Sequence, residues 1–247
     1  MKANKTSESF YNFAQTSGMI DLFIIYLKKS EHPSNENIKD DILSEYDKMS
    51  KDDFKNNYIK EYLRLSDSEA IFDFKEYEEF FSQMAYSNLI DNCLCYFKDI
   101  LVEIIKIKPQ ILKSREKEEL SYILSFDSME SLINDITEKR INKLFYSGIT
   151  EIEKFFLDRL NIELFEDGNL KKDFNQLIKQ RNVIVHNKGI ISKELANEFK
   201  EYKGHLGKRL YFSYDRLMKI NWLIADFLFE LDTKLIKKYS LSQHQLF

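Results

Sequence analysis

Leu170-Lys171-Lys172-Asp173-Phe174-Asn175-Gln176-Leu177-Ile178-Lys179-Gln180-Arg181-Asn182-Val183-Ile184-Val185-His186-Asn187-Lys188-Gly189 reads as a helix over residues 170–187. Taking Leu170 as zero and about 100° per residue, Phe174 lies at about 40°, Leu177 at about −20°, Ile178 at about 80°, Ile184 at about −40° and Val185 at about 60°. The apolar stripe centres near about 20°, and Arg181 falls in its middle. A buried guanidinium without a partner costs several kcal/mol. Arg181 is therefore expected either to meet a carboxylate in the core or to line a cleft or subunit interface. In the second arrangement a fixed cation faces a cavity, which suits an anionic substrate. His186 lies at about 160°, roughly 140° away from Arg181. The two converge only if the last turn loosens before Gly189 or if two protomers face one another. Taken alone, His186 reads as a cation at a helix C-terminus, and Gly189 as the residue that stops the helix.

Outward from this stretch, the chain continues as helix. On the C-terminal side, Ser192 is expected to cap a short helix over residues 192–201. Residues 203–211, with Gly204 and Gly207, read as a loop or hairpin-like segment. A final helix is expected over 213–239, with Leu217, Ile220, Ile224, Phe227, Leu228, Leu231 and Leu235 at helical spacing. Trp222, Phe229 and Ile236 widen its stripe, so it is expected to be central. Residues 240–247 are expected to be loose.

On the N-terminal side, a turn at 161–169 follows helices at 150–160 and from Asp127, with Glu130 as its capping partner, to Tyr146. A short helix is expected at 115–125. A long aromatic-rich helix is expected from about 69 to 108, opened by Ser66-Asp67-Ser68-Glu69 and stopped by Pro109. Helices at 7–29 and 37–64 flank a break at Glu31-His32-Pro33-Ser34-Asn35. The expected division is an accessory helical region at 1–66 followed by a helical domain at 67–247, its core at about 115–239.

Composition agrees with an all-α chain. Of 247 residues, 6 are glycine and 2 proline, whereas average usage gives about 17 and 12. Folds built on many tight turns need more glycine than this. Apolar residues are 43% and charged residues 32%, which excludes a disordered tail. No run of 18 apolar residues exists, so no membrane span is expected. Cys93 and Cys95 stand two apart on one helix and cannot pair with each other there, and no zinc-type spacing occurs. A reduced, cytoplasmic chain without cofactor or metal is the expectation.

The net charge is −4, which argues against a general nucleic-acid coat. Residues 171–219, however, carry 12 basic and 5 acidic side chains, net +7. They read either as a solvated helical face or as a phosphate-attracting patch. Tyr202, Tyr211, Phe212 and Tyr214 interleave with these charges, and core packing is the simpler role for them.

Arg181-Asn182-Val183-Ile184-Val185-His186 matches the R-x4-H pattern of the HEPN superfamily, with a polar residue after the arginine. The wider string from Gln180 to Ile191 resembles the RiboL-PSP-like or ApeA-like HEPN domains of bacterial defence and toxin systems. The resemblance implies an all-helical HEPN-like bundle, here with an additional N-terminal helical region. It implies a metal-independent endoribonuclease, with a composite site formed by a homodimer. Arg181, His186 and Asn182 would be catalytic. His186 would serve as general base or acid on the ribose 2′-hydroxyl or the leaving 5′-oxygen. Arg181 would neutralise the transition state, and Asn182 would orient the phosphate. Lys188, Lys208, Arg209 and Asn187 would bind RNA. An antitoxin or defence-system partner belongs to the same expectation. HEPN toxins regulated by tyrosine nucleotidylation carry a tyrosine two residues after the histidine; Lys188 stands there, so that control is not expected. The alternative is an inactive HEPN module that binds RNA, nucleotide or a partner protein. A third reading is a plain helical scaffold in which Arg181 is a core ion pair.

Overall fold

The computed structural model describes residues 5–29, 74–114 and 117–245. Eight α-helices are formed among them: α1 (Glu8–Lys29), α2 (Phe74–Ile107), α3 (Leu120–Ile123), α4 (Met129–Tyr146), α5 (Ile149–Leu160), α6 (Gly168–Asn187), α7 (Lys193–Glu198) and α8 (Tyr214–Tyr239). The break near His32, the helix expected at 37–64 and the Ser66–Glu69 signal lie outside the described residues, as does the boundary placed near residue 66. None of the described helices is long and apolar enough to cross a membrane.

Caps set most of the boundaries. The side chains of Ser128, Asp167, Ser192 and Ser213 each accept a bond from a backbone N–H in the first turn of α4, α6, α7 and α8. Ser128 rather than Asp127 caps α4, because its hydroxyl reaches the N–H of Ser131, three residues on. Pro109 ends α2 and opens a 3₁₀ turn, Pro109–Leu112. Of the helix expected at 115–125, the described residues 117–125 form only the single turn of α3. That expected at 192–201 stops at Glu198 and continues as the 3₁₀ turn Lys200–Tyr202.

At 34 residues, α2 spans about 50 Å and is the centre of the packing. It lies against α1, α4, α6 and α8, and α1 also packs on α8. Tyr86, Leu89, Tyr96, Phe97, Ile100, Leu101 and Ile104 of α2 are buried. They meet Phe10 and Phe13 of α1, Phe156 of α5, Phe174 of α6 and Leu217, Ile224, Leu228 and Leu235 of α8 in one apolar cluster. Burying each such side chain contributes about 1.5–3 kcal/mol. The α8 stripe follows its helical period, but Trp222 does not widen it: the indole is 58% exposed, outside the packed side. Cys93 is buried and Cys95 exposed, both as free thiols, as their spacing on one helix requires.

The two ends of the chain are tied together. Lys5–Thr6 pairs antiparallel with His244–Gln245, and Leu241 is buried. The segment expected to be loose is thus held to residue 245. Two carboxylates anchor the start of α1 beside this ladder. Asp232 of α8, 1% exposed, accepts from Ser7 N at 3.0 Å, from the Ser7 hydroxyl and from Tyr96 OH at 3.2 Å. Glu103 of α2 accepts from Ser9 N at 2.6 Å and from the Ser9 hydroxyl. Both acids sit where the helix dipole favours negative charge. Burial raises both carboxyls above their ordinary range, and the serine donors pull part of the way back.

Candidate functional site

The buried stripe of α6 does not run where the periodicity places it. Phe174, Leu177 and Gln180 are its buried residues, so the stripe is rotated toward Gln180. Gln180 is fully buried and fully engaged. Its carbonyl accepts from Tyr86 OH at 2.5 Å, and its amide donates to Tyr202 OH at 2.6 Å and Glu201 Oε1 at 3.2 Å. Tyr86 also donates to Leu177 O at 3.0 Å and stacks on Phe212, ring centroids 3.9 Å apart. Desolvation holds the Tyr86 phenol well above its ordinary range, so it donates at any ordinary pH. The polar core of this region therefore belongs to Gln180, the neighbour of the expected arginine.

Arg181 takes the edge of the stripe. Its side chain is 24% exposed and turns to α2, where Nε donates to Asp91 Oδ1 at 2.8 Å and Nη2 lies 2.8 Å from the same oxygen. Asp91 is itself 43% exposed. Of the two arrangements expected for Arg181, a carboxylate partner is present, but at a solvent-accessible edge and not deep in the core. Val185, assigned by the wheel to the apolar stripe, is exposed. Phe80 and Met84, three and two turns before Asp91 on α2, are also exposed.

His186 is exposed and lies on another side of α6. It lines a groove of about 330 Å³ between α6 and α7, together with Asn182, Val183, Asn187, Ser192 and Leu195. Glu194 forms part of the wall, and the Lys179–Glu198 pair closes one end, with Nζ 2.6 Å from Oε1. Asn182 links the two expected catalytic groups. It shares the groove with His186, and its Oδ1 accepts from Arg181 Nη1 at 3.3 Å. Asn187 uses its amide to close the turn, donating to Ile190 O at 2.6 Å.

The chain beyond His186 is shaped by two left-handed residues. Lys188, at φ 53°, already leaves the helix, and Gly189 follows at φ 72°, its N–H bonded to Val183 O at 3.1 Å. Gly189 is required here. A Cβ would stand 2.4 Å from Gln83 Oε1, and Gln83 is a buried α2 side chain that also donates to Leu210 O at 2.7 Å. Ile190 then pairs with Arg209 in an antiparallel bridge, reinforced by Ile191 N to Lys208 O at 2.9 Å and Leu210 N to Gly189 O at 2.8 Å. This pairing joins the end of α6 to the 203–211 segment, a contact that the loop or hairpin-like reading of 203–211 does not include. It sets Lys188, Lys208 and Arg209 on adjoining, exposed backbone. Among the described residues none of their three side chains has a hydrogen-bonding or ionic partner. Lys200 and Lys203 are exposed on the same connection, whereas Tyr202, Phe212 and Tyr214 are core and only Tyr211 is accessible.

Asp91, Gln83 and Gln180 escape sequence reasoning. Each acts across a tertiary contact, and nothing in the local pattern distinguishes them from other helical polar residues. Among the described residues no group of three His, Cys, Asp or Glu is placed to hold a metal ion. Comparison with models of protein families, with curated proteins and with solved structures finds no match for this chain.

Proposed function

We propose that the chain is an endoribonuclease of the HEPN type, in which His186, Arg181 and Asn182 act on the RNA backbone. The observation that carries this reading is the distribution of unused polar groups. His186 lines an open groove, Asn182 joins it to Arg181, and Lys188, Lys208 and Arg209, whose side chains have no partner among the described residues, are exposed on the chain that leaves α6 after His186 and on the segment paired with it. The 2′-oxygen would attack phosphorus and the bond to the 5′-oxygen would break, leaving a 2′,3′-cyclic phosphate and a 5′-hydroxyl. His186 would accept or deliver the proton. Imidazole suits this because its ordinary pKa is near neutrality. Arg181 would balance the charge on the pentacoordinate phosphorus. The exposed lysines would hold flanking phosphates.

A homodimer completes the site in this proposal. Within one protomer Arg181 turns to α2 while His186 faces α7. The exposed Val185, Met84 and Phe80 adjoin the Arg181–Asp91 turns and offer an apolar edge for a second copy. In such a pair the Arg181 of one protomer would face the His186 of the other. A role in defence or as a toxin, with an antitoxin or other defence partner, follows from the same resemblance.

One observation favours the inactive binding module instead: Asp91 already occupies two donors of Arg181. Cleavage decides between them. Purified protein is expected to cut RNA, and Arg181→Ala and His186→Ala each to abolish cutting while melting like the wild type. RNA that is bound, weakened by salt, but never cut would favour the module.

A further inference from the structure

We infer that the α6–α7 groove beside His186 is a base-binding subsite that takes an amino-bearing nucleobase, guanine best. Its place next to the cut bond rests on the ribonuclease reading above. The groove is built for a planar ring and not for a phosphate. Val183 and the buried Leu195 give it apolar walls against which a ring packs. Its charged groups are mostly spent on each other, since Lys179 holds Glu198 with Nζ 2.6 Å from Oε1. What remains is Glu194, an exposed carboxylate with no partner among the described residues, which repels phosphate and seeks N–H donors.

Opposite it, Asn182 contributes an amide whose oxygen is engaged by Arg181, leaving its N–H₂ free to donate. A carboxylate and an amide donor match guanine. N1–H and N2–H are adjacent and point the same way, so they reach both carboxylate oxygens, and O6 accepts from the amide. Cytosine and adenine offer one amino group to the carboxylate. Uracil presents two carbonyl oxygens around its single N–H, and these oppose Glu194. The flanking phosphates would stay outside, on Lys188, Lys208 and Arg209.

The test uses the full chain and five-nucleotide 2′-fluoro RNAs, which lack the attacking hydroxyl. Each is all-uridine except for its central base, and binding is followed by fluorescence anisotropy at fixed salt. The guanine-centred oligonucleotide is expected to bind about tenfold or more tightly than the all-uridine one. Glu194→Gln, at an exposed position, is expected to remove most of that preference by weakening the guanine-centred oligonucleotide, while all-uridine binding is not weakened, since the charge that opposes its carbonyl oxygens is gone. Equal affinity for all central bases, a preference that survives Glu194→Gln, or no binding at all overturns the subsite. A Glu194-dependent preference with no cutting of ordinary RNA would retain the subsite and reject the nuclease. Cutting of ordinary RNA with equal affinity for every central base would do the reverse.

Discussion

The clasp at the chain ends and the surface beyond His186 are both rich in polar side chains, yet they use them in opposite ways. At the clasp Asp232 and Glu103 accept backbone and hydroxyl donors from Ser7 and Ser9, and Tyr96 adds a third donor to Asp232. Around His186, the side chains of Lys188, Lys208 and Arg209 are exposed, and neither they nor the groove-lining Glu194 carboxylate has a partner among the described residues. Buried groups must be satisfied, so the first arrangement holds the fold together. Exposed groups with spare capacity contribute little to stability, so the second is open to a ligand. Substitutions should separate the two regions cleanly.

The largest change in stability belongs to the clasp. Asp232→Ala strands the buried Ser7 N–H and the Tyr96 hydroxyl and is expected to lower stability by about 2–4 kcal/mol, read from urea unfolding. Asp232→Asn sharpens the point through pH. Burial raises the Asp232 carboxyl, so the folded chain binds that proton more readily than the unfolded chain does. The stabilisation this gives is complete below the ordinary aspartate range and is lost as pH rises through the raised value. The Asn variant should flatten that part of the curve of stability against pH, and an unchanged slope would refute the assignment.

The turn that ends α6 comes next. Gly189→Ala meets both a positive φ and the Gln83 side chain and is expected to cost about 2 kcal/mol, whereas Gly204→Ala, at φ 86° with nothing within 4 Å of its Cβ, should cost about 1 kcal/mol. Equal melting temperatures for the two would show that Gln83 yields freely. For Arg181→Ala a loss below about 1 kcal/mol is expected, because its pair with Asp91 is partly solvated. A loss of about 3–5 kcal/mol would instead make Arg181 a core ion pair and favour the plain scaffold. The smallest effect on folding, near zero, is expected for Lys208→Ala and Arg209→Ala. Each should reduce the slope of log affinity for single-stranded RNA against log salt by about 0.7.

The helical architecture was legible because the apolar spacing of 213–239 and the cap Ser192 are local signals. Ser128 displaced Asp127 for an equally local reason, a shift of one residue in the hydroxyl that reaches the first turn. The α6 stripe was only half legible. A hydrophobic wheel counts glutamine as polar and turns it outward, but Tyr86 and Tyr202 arrive from other elements and satisfy Gln180 inside. That rotation puts Arg181 at the edge and Val185 in solvent. The C-terminal segment was misjudged because a two-residue ladder between Lys5–Thr6 and His244–Gln245 joins segments far apart in sequence. The R-x4-H spacing picked out Arg181 and His186, but the ion-pair partner of Arg181, Asp91, and the presence of Glu194 in the groove that His186 lines could be found only in three dimensions.

The most direct test of the central proposal is incubation of the purified wild-type chain and of His186→Ala with mixed cellular RNA in EDTA, followed by analysis of the new ends. The wild type is expected to leave 2′,3′-cyclic phosphates and 5′-hydroxyls, and the variant to be at least about a hundredfold slower at equal stability. Equal cutting by both proteins would contradict the account, and so would intact RNA with both.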